Sequence, residues 1–141
     1  MPFNDRLNPH TLLFTPETDG AASDVWEYSW TFPFSGEIVG FTVANGAAIT
    51  AGDTNFATVR LSGGSNAIAA RSTRVAGTES NPTLGGNLVA DTVDDVTLTT
   101  TVANKKFTSS TRMNIAKTVG GSGATFTDLC VAVHYMFGHQ D

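Results

Sequence analysis

The sequence predicts an all-β fold, a single β-sandwich or jelly roll of about eight antiparallel strands preceded by an extended N-terminal arm. Three observations predict it. Apolar and polar residues alternate in short runs, turn residues punctuate those runs at close intervals, and Thr, Ser, Asn and 14 glycines stand where helix-forming charged residues would normally be. A chain of 141 residues suits one domain with one core. Its division is expected to be an arm over residues 1–24 and a sandwich over residues 25–141.

In the arm, Phe3, Leu7, Leu12, Leu13 and Phe14 occur among Asn, Pro, Asp and Gly with no sustained period. The segment is expected to run extended, with one short strand near residues 11–15. Five apolar side chains on such a segment would be an aggregation hazard on a free monomer. Docking in a groove of a neighbouring subunit is therefore favoured over packing on the same domain as an edge strand.

Residues 25–32 carry the clearest alternation, with Trp26, Tyr28, Trp30 and Phe32 on one face and Val25, Glu27, Ser29 and Thr31 on the other. An aromatic stripe of this kind is read as core before it is read as a sugar-stacking platform. After Pro33 and the Ser35-Gly36 pair, residues 37–44 place Val39, Phe41 and Val43 on one face and end at Asn45-Gly46, so these two strands are expected to form a hairpin. A second hairpin is expected from residues 56–62, with Ala57, Val59 and Leu61 inward, through Gly63-Gly64-Ser65-Asn66 into residues 67–73.

Between residues 75 and 91 turn residues fall at nearly every step, which marks a long surface loop. Loops of that length usually carry a task, so Glu79, Asn81 and Leu84 are candidate contact residues together with the five apolar arm residues. Short strands follow over residues 95–101 and 111–117. The last strand, residues 127–137, is apolar on both faces and is expected to be central in its sheet or pressed against a neighbouring subunit.

Charge narrows the partners. Only 15% of residues are charged, and the formal net charge is −5, a field that repels phosphate; nucleic acid is not an expected partner. No apolar stretch approaches the ~18 residues of a membrane-spanning helix, and the first residues lack the pattern of a signal peptide. The expectation is a chain made soluble, with no membrane contact.

Residues that carry chemistry are present but scattered. His10, His134 and His139 do not have zinc-site spacing. The carboxylates Asp94-Asp95 and Glu17 with Asp19 lie in turn-like contexts that suit solvation or capping. The glycine clusters lack the ending of a phosphate loop, and no Gly-x-Ser-x-Gly elbow occurs. Cys130, between Leu129 and Val131, reads as a buried thiol acting as a small hydrophobe. No catalytic residue, metal or cofactor is expected.

The segments Gly36-Glu37-Ile38-Val39-Gly40-Phe41 and Ala57-Thr58-Val59-Arg60-Leu61, with the terminal Asp128-Leu129-Cys130-Val131-Ala132-Val133-His134-Tyr135, resemble small β-sandwich structural proteins of tailed bacteriophages. The pattern is most similar to capsid decoration, or cement, proteins. The resemblance implies a non-enzymatic virion protein on the outer surface of the head, made in the host cytoplasm. It also implies self-association as a homotrimer and stabilisation of contacts between subunits of the major capsid protein. The same pattern suits a phage tail or fibre module that recognises a receptor or glycan, and that reading stays open.

Overall fold

The computed structural model describes residues 9–16, 19–75 and 77–138. It is all-β, with two sheets stacked as a sandwich. Ten strands occur among the described residues: β1 (His10–Phe14), β2 (Trp26–Trp30), β3 (Gly36–Ala44), β4 (Phe56–Gly63), β5 (Asn66–Ser72), β6 (Thr83–Leu84), β7 (Asp94–Asp95), β8 (Lys106–Phe107), β9 (Met113–Gly120) and β10 (Cys130–Phe137). Sheet A runs β1-β10-β3-β7, with β8 also on β3, and sheet B runs β2-β9-β4-β5-β6. All pairings are antiparallel except β5 with β6.

The alternating positions meet between the sheets. Phe41, Val43, Val131 and Val133 from sheet A and Ala57, Val59, Leu61, Met113 and Ile115 from sheet B are fully buried. The chain closes this layer with Phe32, whose ring lies 4.3 Å from that of Phe107 and 4.5 Å from that of Tyr135. At about 25 cal/mol per Å² of apolar surface removed from water, such large side chains dominate the stabilisation.

The hairpin of β4 with β5 and the central position of β10 between β1 and β3 match expectation. The hairpin of β2 with β3 does not form. β2 pairs with β9 in sheet B, β3 lies in sheet A, and the chain crosses between sheets at Phe32. Gly36, expected in a turn, is the first residue of β3 instead. A Cβ there would come within 2.2 Å of the Met136 carbonyl oxygen and 2.6 Å of Phe107 Cζ, so the glycine permits a close approach of chains.

Val39 also departs from expectation. His134 pairs with Gly40 and Tyr135 with Ile38, so Val39 is the extra residue of a β-bulge. Ile38 turns into the core with 1% exposure and Val39 turns out with 41%. Residues 95–101 form no long strand. Val96 N–H donates to the Phe41 carbonyl at 2.9 Å and Thr99 N–H to the Ile68 carbonyl at 2.7 Å, which holds the segment as an irregular wall across both sheets.

The arm, expected to dock in a groove of a neighbouring subunit, packs on its own domain in its described part. β1 pairs along its whole length with β10, with Leu12 opposite Val133 and Phe14 opposite Val131. Both side chains pack against the core, and the Phe14 ring lies 4.9 Å from that of Trp30. Packing on its own sheet wins because β10 otherwise presents an unpaired edge, and β1 satisfies those backbone groups while covering apolar surface.

Candidate functional site

The two outer faces of the sandwich differ in chemistry. On sheet B the outward positions of β2, β9 and β4 are Glu27, Ser29, Asn114, Ala116, Thr118, Thr58, Arg60 and Ser62, as the register dictates. Arg112 joins them through a 2.9 Å ion pair with Glu27, and Asn114 Nδ2 donates to Ser29 Oγ at 2.9 Å. A shallow depression of about 210 Å³ lies here, lined by Glu27, Ser62, Gly64, Arg112 and Asn114. Its walls are exposed and its ion pair is open to water, an arrangement that binds little on its own.

On sheet A the same alternation leaves Thr11 and Leu13 of β1, Ala132 and His134 of β10, and Gly40, Thr42 and Ala44 of β3 facing outward. Cys130 and Met136 extend the row, and the bulge adds Val39. Among the described residues no Asp, Glu, Lys or Arg lies in the middle of this face; Glu37, Lys106 and Asp95 stand at its rim. His134 is held down on the sheet. Its Nδ1 is 2.9 Å from Thr11 Oγ1 on one side. Gly40 leaves room for the ring on the other, where a Cβ would come within 2.9 Å of His134 Cδ2. Leu13 at 62% and Val39 at 41% are the most exposed apolar side chains of the face.

This arrangement distributes the expected contact residues unevenly. Phe3 and Leu7 lie outside the described residues. Leu12 and Phe14 point into the core, so neither meets a partner from β1, while Leu13 points outward. Glu79 lies 4.0 Å from Arg74 Nη1 and is mostly covered. Asn81 spans to a neighbouring segment, donating from Nδ2 to the Leu98 carbonyl at 2.8 Å and accepting the Thr100 N–H at 3.2 Å on Oδ1. These two residues brace the domain. Leu84 is 41% exposed, on the far edge of sheet B from β2.

The long loop itself is organised by a residue that sequence reasoning passed over. Arg71 is buried in β5 and donates to Asp94 Oδ2 at 3.0 Å and to the carbonyls of Ser72, Leu84, Gly86 and Asn87. A guanidinium has five N–H donors in a rigid fork, which suits a hub for converging carbonyls. The loop is thereby a fixed wall. The signal was available in parity: Arg71 pairs with Val59, an inward position of β4.

The groups with chemical potential are absorbed in the same way. Asp94 serves Arg71, Asp19 is buried against Lys117, and Glu17 and His139 lie outside the described residues. The His10 ring stacks on Tyr135 at 5.5 Å. Among the described residues no group of three His, Cys, Asp or Glu side chains is placed to hold a metal ion. Cys130 is half-buried on the outward face of sheet A, a correction to the expected core thiol. Trp26 and Trp30 pack against the core, leaving Tyr28 as the exposed ring of the stripe at 41%. No protein-family model matches the chain, and neither a curated protein nor a solved structure matches it.

Proposed function

We propose that the chain is a non-enzymatic virion structural protein that binds the outside of a phage head and stabilises contacts between major capsid subunits, with the outer face of sheet A as its docking surface. The observation that supports this reading is the contrast between the two faces: sheet B presents Arg60, Arg112 and Glu27, and sheet A presents Leu13, Val39 and Met136 with no charge among them. Charge depletion around apolar side chains is the compositional mark of the centre of a protein interface.

Area decides how such a face is used. Three strands about 4.8 Å apart, each rising about 3.3 Å per residue, present roughly 350 Å². A stable interface buries about 800 Å² on each partner. One copy is therefore a weak binder, and several copies acting together supply the affinity through effective concentration. That arithmetic supports self-association, with a homotrimer as the form proposed. Binding only the assembled shell then raises its stability by mass action.

The test is electron microscopy of labelled protein mixed with virions from the same source. The expected result is density on the head for the wild type and its loss for the double variant Leu13→Glu, Val39→Glu, with the circular dichroism spectrum unchanged. Full head binding by the folded double variant removes the face from the mechanism. The competing reading is a tail or fibre module for a receptor or glycan, supported by the exposed rings of Tyr28 and Phe34. Label on the tail, with glycan binding abolished by Tyr28→Ala, selects it.

A further inference from the structure

One ion pair differs from the others among the described residues. The side chains of Asp19 and Lys117 are 1% and 0% exposed. The pairs of Arg71 with Asp94, Arg74 with Asp53 and with Glu79, and Arg112 with Glu27 each keep at least one partner in contact with water. Lys117 lies on β9 opposite Val59, on the core side of sheet B, and its Nζ donates to Asp19 Oδ2 and, at 3.3 Å, to the Ala22 carbonyl. The Phe126 ring lies 5.5 Å from Nζ. Asp19 is held from three sides: Oδ2 also accepts the Phe126 N–H at 2.9 Å, and Oδ1 accepts Trp26 Nε1–H at 3.1 Å.

The backbone is built around this contact. Gly123 has φ +77, and a Cβ there would come within 2.1 Å of the Ala22 carbonyl oxygen, so the turn after β9 accepts the segment carrying Asp19 only as glycine. A lysine and an aspartate 98 positions apart in sequence are thus pressed together in a site that excludes water.

We propose that Lys117 and Asp19 condense to form an intramolecular isopeptide bond, a self-modification that ties the N-terminal segment covalently to the middle of sheet B. Transfer of one proton from Nζ to the carboxylate along their hydrogen bond turns the ion pair into an amine and a carboxylic acid, cancelling two charges in an apolar surrounding. The Nζ lone pair attacks Asp19 Cγ to form the C–N bond. The proton goes to Oδ2, so the negative charge of the tetrahedral intermediate develops on Oδ1, where Trp26 Nε1–H already donates, while the Phe126 N–H stays on the departing oxygen. The C–O bond then breaks, and the departing oxygen leaves as water with one proton from the nitrogen and the proton already on the acid. Amine plus acid gives amide plus water, and no oxidant, reductant or cofactor enters.

Two physical factors favour the step. Reacting groups fixed in contact behave as if present at effective concentrations of about 10⁵ M or more. A buried site also keeps out the water that would reverse the reaction. Arginine offers no comparable route, because its guanidinium stays protonated; this separates the Lys117 pair from that of Arg71. The inference does not depend on the docking face or on the partner.

The experiment is intact-mass spectrometry of the full chain as purified. The wild type is expected to be lighter than its sequence mass by one water, with tandem spectra of a digest showing the peptide containing Asp19 joined to the one containing Lys117. Lys117→Arg and Asp19→Ala are each expected to have the mass their sequences dictate. A wild-type mass equal to the sequence mass, with Lys117 acylated by an amine reagent after denaturation, overturns the proposal. So does a loss of water that persists in both variants. Neither decision requires the variants to fold, since each is read from the mass of the chain and of its peptides.

Discussion

Arg71 illustrates what a single buried charge does in this fold. Its guanidinium holds a wall of backbone from Leu84 to Asn87 that has almost no strand pairing of its own. Replacing it with Met leaves carbonyls and the Asp94 carboxylate without their donor. Losing a buried ionic partner costs about 3–5 kcal/mol, and because Asp94 is 27% exposed the lower end applies. Arg71→Met is expected to lower the urea midpoint and to speed amide exchange over residues 84–88; an unchanged midpoint would contradict the hub role. Gly36→Ala is expected to cost about 1–3 kcal/mol through overpacking against Met136 and Phe107. A thermal melt equal to that of the wild type would dismiss the close approach as its reason for being glycine. Period-two reading placed Ala57, Val59 and Leu61 inward correctly and put Phe41 with Val43, and Val131 with Val133, on common faces that prove to be the buried ones. It missed Arg71 and Lys117 because charged residues are seldom buried, although Lys117 shares the parity of Met113 and Ile115. It reversed Ile38 and Val39 because a bulge is a property of two strands together and leaves no trace in the period of one.

Among the strands, local order in the chain was a reliable guide where a tight turn joins two runs and an unreliable one where an aromatic carries the chain across. β4 and β5 are joined at Gly64 and Ser65, and their hairpin could be read directly. β2 and β3 are separated by Phe32, whose burial between the sheets places its neighbours in different layers, a three-dimensional demand that the turn signal at Ser35-Gly36 did not contain. β1 was legible as a short strand, but its partner was not, because pairing across more than a hundred residues has no local signature. The consequence for truncation is direct. Deleting residues before Val25 removes β1 from the edge of β10 and leaves Lys117 with no carboxylate. Loss of that partner alone costs about 3–5 kcal/mol. The shortened chain is expected to lose its cooperative thermal transition by circular dichroism; a stable, sharply melting product would show that residues 10–24 are dispensable.

For the whole molecule, the division of labour between the two sheet faces sets how it meets its surroundings. The face of sheet A lacks charge at its centre, so association through it depends on apolar contact and shape. Screening over a Debye length of about 10 Å at 0.1 M salt has little to act on there. Affinity for the partner surface, or for other copies, is expected to change less than about threefold between low salt and 0.5 M salt by sedimentation or surface-plasmon measurement. A steep fall with salt would move the contact to Glu27, Arg60 and Arg112 on sheet B. The fold class followed from composition and periodicity, whereas the face could not be read until β1, β10 and β3 were known to lie side by side.

The pairing of His10 with Tyr135 carries one more consequence. The earliest and latest strands of the described chain run antiparallel in adjacent positions, so the start of β1 and the end of β10 lie side by side at one corner of sheet A. A permuted chain, opened at the exposed Gly121-Ser122 turn and with Pro9 and Gly138 bridged by a short linker, would exchange one connection for another without altering any strand neighbour.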